Sequence, residues 1–489
     1  MISPKDVHKV IGSRMIIDVY DMVLDLEKSR GMYLYDSKAE RKFLDFFGFF
    51  SSSAIGMNHP KLLEPEFVKK ITRAAINKPT NSDTLTVEMA EFVDTLSRVA
   101  TPSYMKYFFF IEGGALAVEN ALKTAFDWKI KKNFNKGIKD VRGQKVIHLK
   151  EAFHGRSGYT LALTNTASIK KIQYFPRFNW PRVTNPKITF PLNEANTKNV
   201  EELEKRSLDE MQKIISEEGD HVAAFIMEPI QGEGGDNHFR KEYFHAVRKL
   251  TADNDILFIV DEIQTGLGMT GKWWAHQHFD FKPDILAFGK KMQVCGIMAS
   301  PKIDEISDHV FRVPNRIDST WGGNLTDMVR ATKYLEIIEE DHLVDNAAKV
   351  GRVFIKGLEE LQSRHPDKIT NARGRGLMCA FDLPNQNVRD DYWTALFRNG
   401  LLALKTGEKG IRFRPALITE ETHVNDALSI LEKTLNEVMA VPLDVTTQSQ
   451  VPSIDAPKAP IIDRIVGEIS RIPGLTASEG ASAPGNRIL

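Results

Sequence analysis

Between about residues 106 and 303, short apolar runs alternate with longer amphipathic stretches. That alternation is the signature of βα units and predicts an α/β fold with a mainly parallel central sheet covered on both faces. The strands are predicted at 106–111, 145–150, 222–227, 256–261, 284–289 and 297–300. Each is short and rich in β-branched, aromatic or aliphatic side chains, and most run straight into Gly, Pro or an acidic residue. In open sheets of this kind ligands bind at the carboxyl ends of the strands, so residues just past each run are the first candidates for chemistry.

After Trp321-Gly322-Gly323-Asn324 the pattern changes to a long helix starting near Thr326, then to mixed elements up to about Val438. This predicts a smaller α+β C-terminal domain over 326–440 beside a large domain over 76–325. Residues 1–75 read as a separate N-terminal arm or small-domain segment. Residues 441–489 are rich in Pro, Ser, Thr and Val around one short amphipathic run, IIDRIVGEISRI, and read as linker, short helix and flexible tail.

Composition narrows the partners. Lys plus Arg and Asp plus Glu both number 65, so no net field recruits nucleic acid or an anionic membrane. The two cysteines, Cys295 and Cys379, are too few for a disulfide framework and too far apart for a metal-ligand pair. A reducing, cytoplasmic setting and no metal site are therefore expected. The N-terminus MISPKDVHKV lacks the apolar run of a secretory signal, and no apolar stretch is long enough to span a bilayer.

Three strand ends carry candidate chemistry. The run ILFIV delivers Asp261, an acid emerging towards the crevice, although an ordinary strand-end acid would look the same. DILAFG ends at Lys290-Lys291, and a lysine leaving a buried strand is costly unless it is paired or uncharged. A solvated loop lysine is the plainer reading. KYFFFI runs into Glu112-Gly113-Gly114-Ala115 at a helix start, where main-chain N–H groups suit a phosphate, though such a turn is weak by itself.

Taken together, EGGALA at 112–117, Phe153-His154-Gly155-Arg156, EPIQGEGG at 228–235, DEIQTG at 261–266 and Gly289-Lys290 resemble the class III, omega-amino-acid family of fold-type I aminotransferases, over about residues 15–440. The resemblance implies pyridoxal 5′-phosphate as cofactor, attached through Lys290, which comes directly after the small residue of the motif and is thereby preferred to Lys291. It implies that Asp261 pairs with the ring nitrogen and keeps the cofactor an electron sink. Gly114 and Ala115 would donate main-chain N–H groups to the phosphate, Phe153 would stack on the ring, and Gln264 would meet the ring hydroxyl. His154 and Glu228 would complete the cofactor pocket, Glu228 being equally readable as a plain strand-end acid. Thr320 resembles the residue that reaches the phosphate from a second subunit, which implies a homodimer or a higher assembly with shared sites.

For substrate, the resemblance assigns Arg412 to the carboxylate beside the keto carbon, with Arg414 as a close rival, and Glu233 as the acid that neutralises Arg412 while the amine donor is bound. Arg156 would hold the distal carboxylate, and Ser319 would line the pocket with Gln264. The runs AFHGRSGYTLALTNT, FFSSSAIGMN and GKKMQVCGIMA look most like the branch of the family acting on the epsilon-amino group of L-lysine, with 2-oxoglutarate as acceptor. Asp318 departs from that branch, which carries Asn there. Ornithine or 4-aminobutyrate as donor is the enzymatic alternative. A non-catalytic, cofactor-binding regulator is the alternative from another class, and the intact Lys290, Asp261 and Arg412 set argues against it.

Overall fold

The computed structural model describes residues 2–18 and 20–439. The linker, helix and tail expected from 441 onwards lie outside the described residues. At the N-terminal side, β1 (Tyr33–Asp36) and β2 (Arg41–Asp45) form an antiparallel hairpin. The central sheet comes next with β3 (Tyr107–Ile111), β4 (Lys145–Leu149), β5 (Arg182–Val183), β6 (Val222–Met227), β7 (Leu257–Asp261), β8 (Ile285–Phe288) and β9 (Cys295–Ala299). Its seven strands are ordered β3-β9-β8-β7-β6-β4-β5. The last strands are β10 (Thr370–Arg375), β11 (Met378–Asp382), β12 (Leu401–Leu402), β13 (Leu404–Thr406) and β14 (Gly410–Phe413).

The centre of the sheet forms because its strands are apolar on both faces. Along β6, β7 and β8 every residue is buried. Successive residues feed opposite cores: Ala224, Ile226, Leu257 and Ile259 pack under the helix Gly114–Asn135 with Val118, Leu122 and Trp128, while Phe225, Met227, Phe258 and Val260 pack with Phe244 and Val247 on the other side. Strands β5, β4, β6, β7 and β8 pair in parallel. β9 runs antiparallel to both β8 and β3, so β3 points the same way as the parallel set. The carboxyl ends of β3, β4, β6, β7 and β8 therefore share one edge of the sheet.

The first 75 residues do not stand apart. β2 pairs in parallel with β12, and Phe46 packs edge-on against Phe354 and Phe413 in the core shared with β11 and β14. The long helix expected near Thr326 spans Leu325–Glu340, with the Asn324 side chain capping the Thr326 N–H (2.9 Å). β10, β11, β14 and β13 form an antiparallel sheet that brings Arg412 towards the carboxyl edge of the central one.

Candidate active site

A cleft of about 190 Å³ opens at that shared edge, lined by Gly114, Ala115, Phe153, His154, Glu228, Asp261, Gln264, Lys290 and Cys295 among others. Eight of the residues singled out in the sequence thus meet in one place, drawn from the ends of β3, β4, β6, β7 and β8.

At its floor, His154 Nδ1–H donates to Asp261 Oδ2 (2.8 Å), while Asp261 Oδ1 accepts from the Ile263 N–H (3.1 Å). Both side chains are almost fully buried. The imidazole orients the carboxylate, and in a water-poor pocket an oriented carboxylate is a strong partner for a cationic ring nitrogen. Glu228, directly after β6, accepts from the main-chain N–H groups of Phe153 (3.0 Å) and Gly232 (3.0 Å). Burial, with a contribution from Asp261, pushes its carboxyl up to about 7 against the opposing pull of His154 and these two donors. Glu228 thereby ties the Phe153 segment to the Gly-rich loop, a positioning role.

Lys290 is joined to β8 through Gly289 and adopts a left-handed backbone, φ 50°. Such a conformation is unfavourable for a residue with a Cβ and marks a position held by its surroundings. Burial first, then the positive Arg412 and Arg414, push its amine down to about 7, against the opposing pull of Asp261 and Glu228. A large share of the amine is neutral, hence nucleophilic, near neutral pH. The rival Lys291 is spent elsewhere. Its Nζ donates to Ser51 Oγ (2.6 Å) and to the Gln264 carbonyl (2.8 Å) in a fully enclosed site. Ser51 is the last of four successive left-handed residues, Gly48 to Ser51, with φ between 50° and 76°, and Lys291 holds that end of the run. Left-handed turns cost about 1–2 kcal/mol per non-glycine residue, so the Lys291 tie offsets real strain.

At the other end of the cleft, the helix Gly114–Asn135 begins at Gly113 (φ 102°) with no side-chain cap. Its first N–H groups face the cleft without a side-chain acceptor, and the helix dipole adds positive potential there. Gly155 (φ 136°) closes the same end: a Cβ on it would lie 2.7 Å from Ala115 Cβ and 2.6 Å from Thr160 Oγ1. A flat aromatic ring beside Phe153, with a phosphate at the helix start, a cationic nitrogen at Asp261 and a carbonyl near Lys290, matches this donor set. The residues fit pyridoxal phosphate.

The two arginines are separated by one aspartate. Arg414 makes a bidentate pair with Asp236 (2.5 and 2.8 Å), both side chains being at most 1% exposed. Arg412, 4% exposed, has no carboxylate partner among the described residues, and its Nε lacks any acceptor. Its Nη1 donates to Gln264 Oε1 (3.1 Å), which also accepts from Arg414 Nε (3.0 Å). Arg412 does not itself line the cleft but touches Gln264, which does, and of the two guanidinium groups it is the one without an ion-pair partner among the described residues.

The remaining candidates fall in and around the cleft as follows. Gln264 lines the cleft, but its amide oxygen is committed to the two guanidinium groups, so only the amide nitrogen remains for a ring hydroxyl. Glu233, expected on Arg412 while the amine donor is bound, here forms an ion pair with Lys171 of the turn Ile169–Lys171, to which no motif had pointed. Arg156 is exposed and lies outside the cleft lining, directly after Gly155, which is within it. Ser319 and Thr320 also lie outside the lining, with the Thr320 carbonyl accepting from Ser82 Oγ (3.1 Å) and Asp318 Oδ1 accepting from the Ser319 N–H (2.7 Å). Among the described helices none is long and apolar enough to cross a membrane.

The comparisons with known proteins agree with this geometry. The structure is similar to that of lysine aminotransferase from M. tuberculosis, with a TM-score of 0.87 and 46% identity, covering 89% of this chain and 100% of that one. In sequence the chain is 45% identical to the L-lysine-epsilon aminotransferase of Streptomyces clavuligerus over 436 residues, 89% of this chain and 95% of the relative. It is 33% identical to human mitochondrial 4-aminobutyrate aminotransferase, covering 84% of each. The family model "Aminotransferase class-III" matches residues 17–435. A reactive-lysine cleft at the carboxyl edge of the sheet and a family match spanning almost all described residues converge on one assignment: the chain belongs to the class III aminotransferases.

Proposed function

We propose that this chain binds pyridoxal 5′-phosphate, attached through Lys290, and transfers the epsilon-amino group of L-lysine to 2-oxoglutarate. The products are 2-aminoadipate 6-semialdehyde, which cyclises to piperideine-6-carboxylate, and L-glutamate. The carrying observation is that Lys290, Asp261, Phe153 and the helix start at Gly114 and Ala115 line one cleft at the shared strand ends. The lysine preference rests on the higher identity to L-lysine-epsilon aminotransferases than to the 4-aminobutyrate enzyme.

When bound, the cofactor supplies an electron-withdrawing ring that acidifies the substrate carbon bearing the amine. The protein does the rest. Asp261, oriented by His154, stabilises a protonated ring nitrogen, and the start of the helix Gly114–Asn135 receives the phosphate. Lys290 Nζ, once free, accepts the proton from the substrate carbon and delivers it again, a task suited to an amine titrating near the working pH. Arg412 receives the carboxylate beside the keto carbon as a two-pronged donor. Thr320 and Ser319, displaced from their own cleft, are assigned to the cleft of a second subunit in a homodimer, and Arg156 to the distal carboxylate. The test is a donor screen with 2-oxoglutarate as acceptor, scoring glutamate and the cyclised imine. L-lysine is expected to lead; ornithine or 4-aminobutyrate leading would reassign the donor.

A further inference from the structure

The Lys171–Glu233 pair is the feature of the cleft rim that the family motifs leave unexplained. Glu233 sits on a pinned main chain: its carbonyl accepts from the Gly407 N–H (3.0 Å), and the Gly232 carbonyl accepts from Thr406 Oγ1 (2.7 Å). Thr406 ends β13, whose Leu404 pairs with Arg412 of β14. The main chain of Glu233 is thus held to the hairpin that carries Arg412, and Gly232 abuts the Gln264 amide that Arg412 touches, a Cβ there lying 2.4 Å from Gln264 Oε1. With this main chain held, any change of partner by the Glu233 carboxylate is a movement of the side chain.

In the observed position one carboxylate oxygen faces Lys171, while Glu233 Oε2 is buried without a partner and Arg412 Nε is in the same state. Each group thus has one partner and one unused buried atom, Glu233 being paired with Lys171 and Arg412 with Gln264, and a ligand carboxylate would satisfy the arginine's free position. Lys171 stands on the short turn Ile169–Lys171, with its Nζ 5.7 Å from the centre of the Phe153 ring, which lines the cleft. Its side chain is 30% exposed. If Glu233 departs, water can take over the ammonium of Lys171, whereas the enclosed Arg412 has no such recourse.

We infer that Lys171 is a specificity-determining residue: it holds Glu233 off Arg412, keeping the guanidinium open for the keto acid, and yields Glu233 to Arg412 when the terminal-amine donor enters. This deepens the proposed function and rests on Arg412 being the keto-acid site. The two pairings compete for one carboxylate, so their difference sets the resting population, and deleting one partner drives Glu233 to the other. The rim then contains a three-part exchange, with Glu233 moving between a solvated and an enclosed cation.

Lys171→Met keeps the aliphatic stem over Phe153 and removes the charge. Titration calorimetry of the cofactor-loaded protein with glutarate, an unreactive dicarboxylate of the acceptor's length, should show about tenfold weaker binding for Lys171→Met, as expected when a competing population becomes dominant. Lys171→Arg should bind as the unaltered chain does, and a Lys171→Met/Glu233→Gln double variant should recover. In single turnovers, Lys171→Met should slow the 2-oxoglutarate half-reaction while sparing the donor half-reaction. A crystal structure of Lys171→Met without substrate should place a Glu233 oxygen on Arg412. Unchanged glutarate affinity in Lys171→Met, with Arg412→Ala still abolishing binding, would overturn the role of Lys171 alone. Glutarate binding indifferent to Arg412→Ala would overturn the keto-acid site, and this inference with it.

Discussion

At the floor of the cleft, charged groups have fixed partners. Asp261 is held by His154, Glu228 by two main-chain N–H groups, Lys291 by Ser51 and the Gln264 carbonyl, and Arg414 by Asp236. At the rim, Arg412 and Glu233 each keep a buried atom unpaired, Lys171 is part-exposed, and Arg156 and Thr320 lie outside the cleft lining. The contrast comes from what each region must do. Chemistry at the amine-bearing carbon is the same in both halves of a transamination, so its groups gain from being preorganised. The rim must admit two unlike molecules in turn, so its charges must be able to change partners.

The largest effect that would break this comparison is at the floor. Lys290→Ala should lower turnover by about a thousandfold or more, the range for losing a nucleophile that also moves protons. Borohydride reduction of the loaded protein followed by peptide mapping should place the label on Lys290 and none on Lys291. A label on Lys291 would exchange the roles of cage and catalyst. Next, Asp236→Ala removes one partner of a buried pair and should destabilise the fold by about 3–5 kcal/mol in denaturant melts. A loss under about 1 kcal/mol would mean that the Arg414 pair is not fixed.

The rim variants should give smaller effects of opposite sign. Glu233→Ala leaves Arg412 unopposed, so the L-lysine half-reaction should weaken against that of alpha-amino donors by about tenfold or more, whereas Arg412→Ala should spare the L-lysine half-reaction and weaken that of 2-oxoglutarate. Equal losses in both half-reactions for both variants would place this pair among the fixed groups. Thr320→Ala should weaken cofactor binding by about tenfold, the worth of one hydrogen bond to a charged group. In mixed dimers with Lys290→Ala chains, one site of the two should then be intact. Unchanged cofactor affinity would leave Thr320 out of the site.

A pH dependence tests the floor independently of turnover. In cofactor-free protein the Lys290 amine is down to about 7, against 10.5 for an ordinary lysine. Between those values the unfolded chain binds a proton that the folded chain does not, so stability rises with pH across the window, and the destabilisation is fully present below about 7. Lys290→Met should therefore stabilise the cofactor-free protein more at pH 6.5 than at pH 9.5. An equal gain at both would mean that the amine is not depressed.

Legibility in the sequence divides along the same line between floor and rim. The floor was readable because β6, β7 and β8 are continuous apolar runs, and the residues just after each run fall at one sheet edge. The antiparallel sense of β9 was not, since an apolar run carries no direction, and the two-residue β5 is too short for any periodicity. The strands near Tyr33 and Arg41 looked like an arm because their partner, β12, lies near the other end of the chain. Arg412 and Arg414 are two apart in extended backbone and share a face, so alternation could not separate them; Asp236 does so from a distant loop. Lys171 sits in an exposed, aperiodic connection, where only the folded chain reveals that it meets Glu233.

The most direct test of the division between a fixed floor and an exchangeable rim is which nitrogen leaves the donor. Loaded protein would be given 2-oxoglutarate with L-lysine carrying nitrogen-15 at either the epsilon or the alpha position, and the glutamate formed would be analysed by mass spectrometry. Label is expected in glutamate from the epsilon-labelled donor alone, because Glu233, once it has moved onto Arg412 as the donor enters, leaves no cation for a carboxylate beside the reacting amine. Equal or greater label from the alpha position would contradict the account.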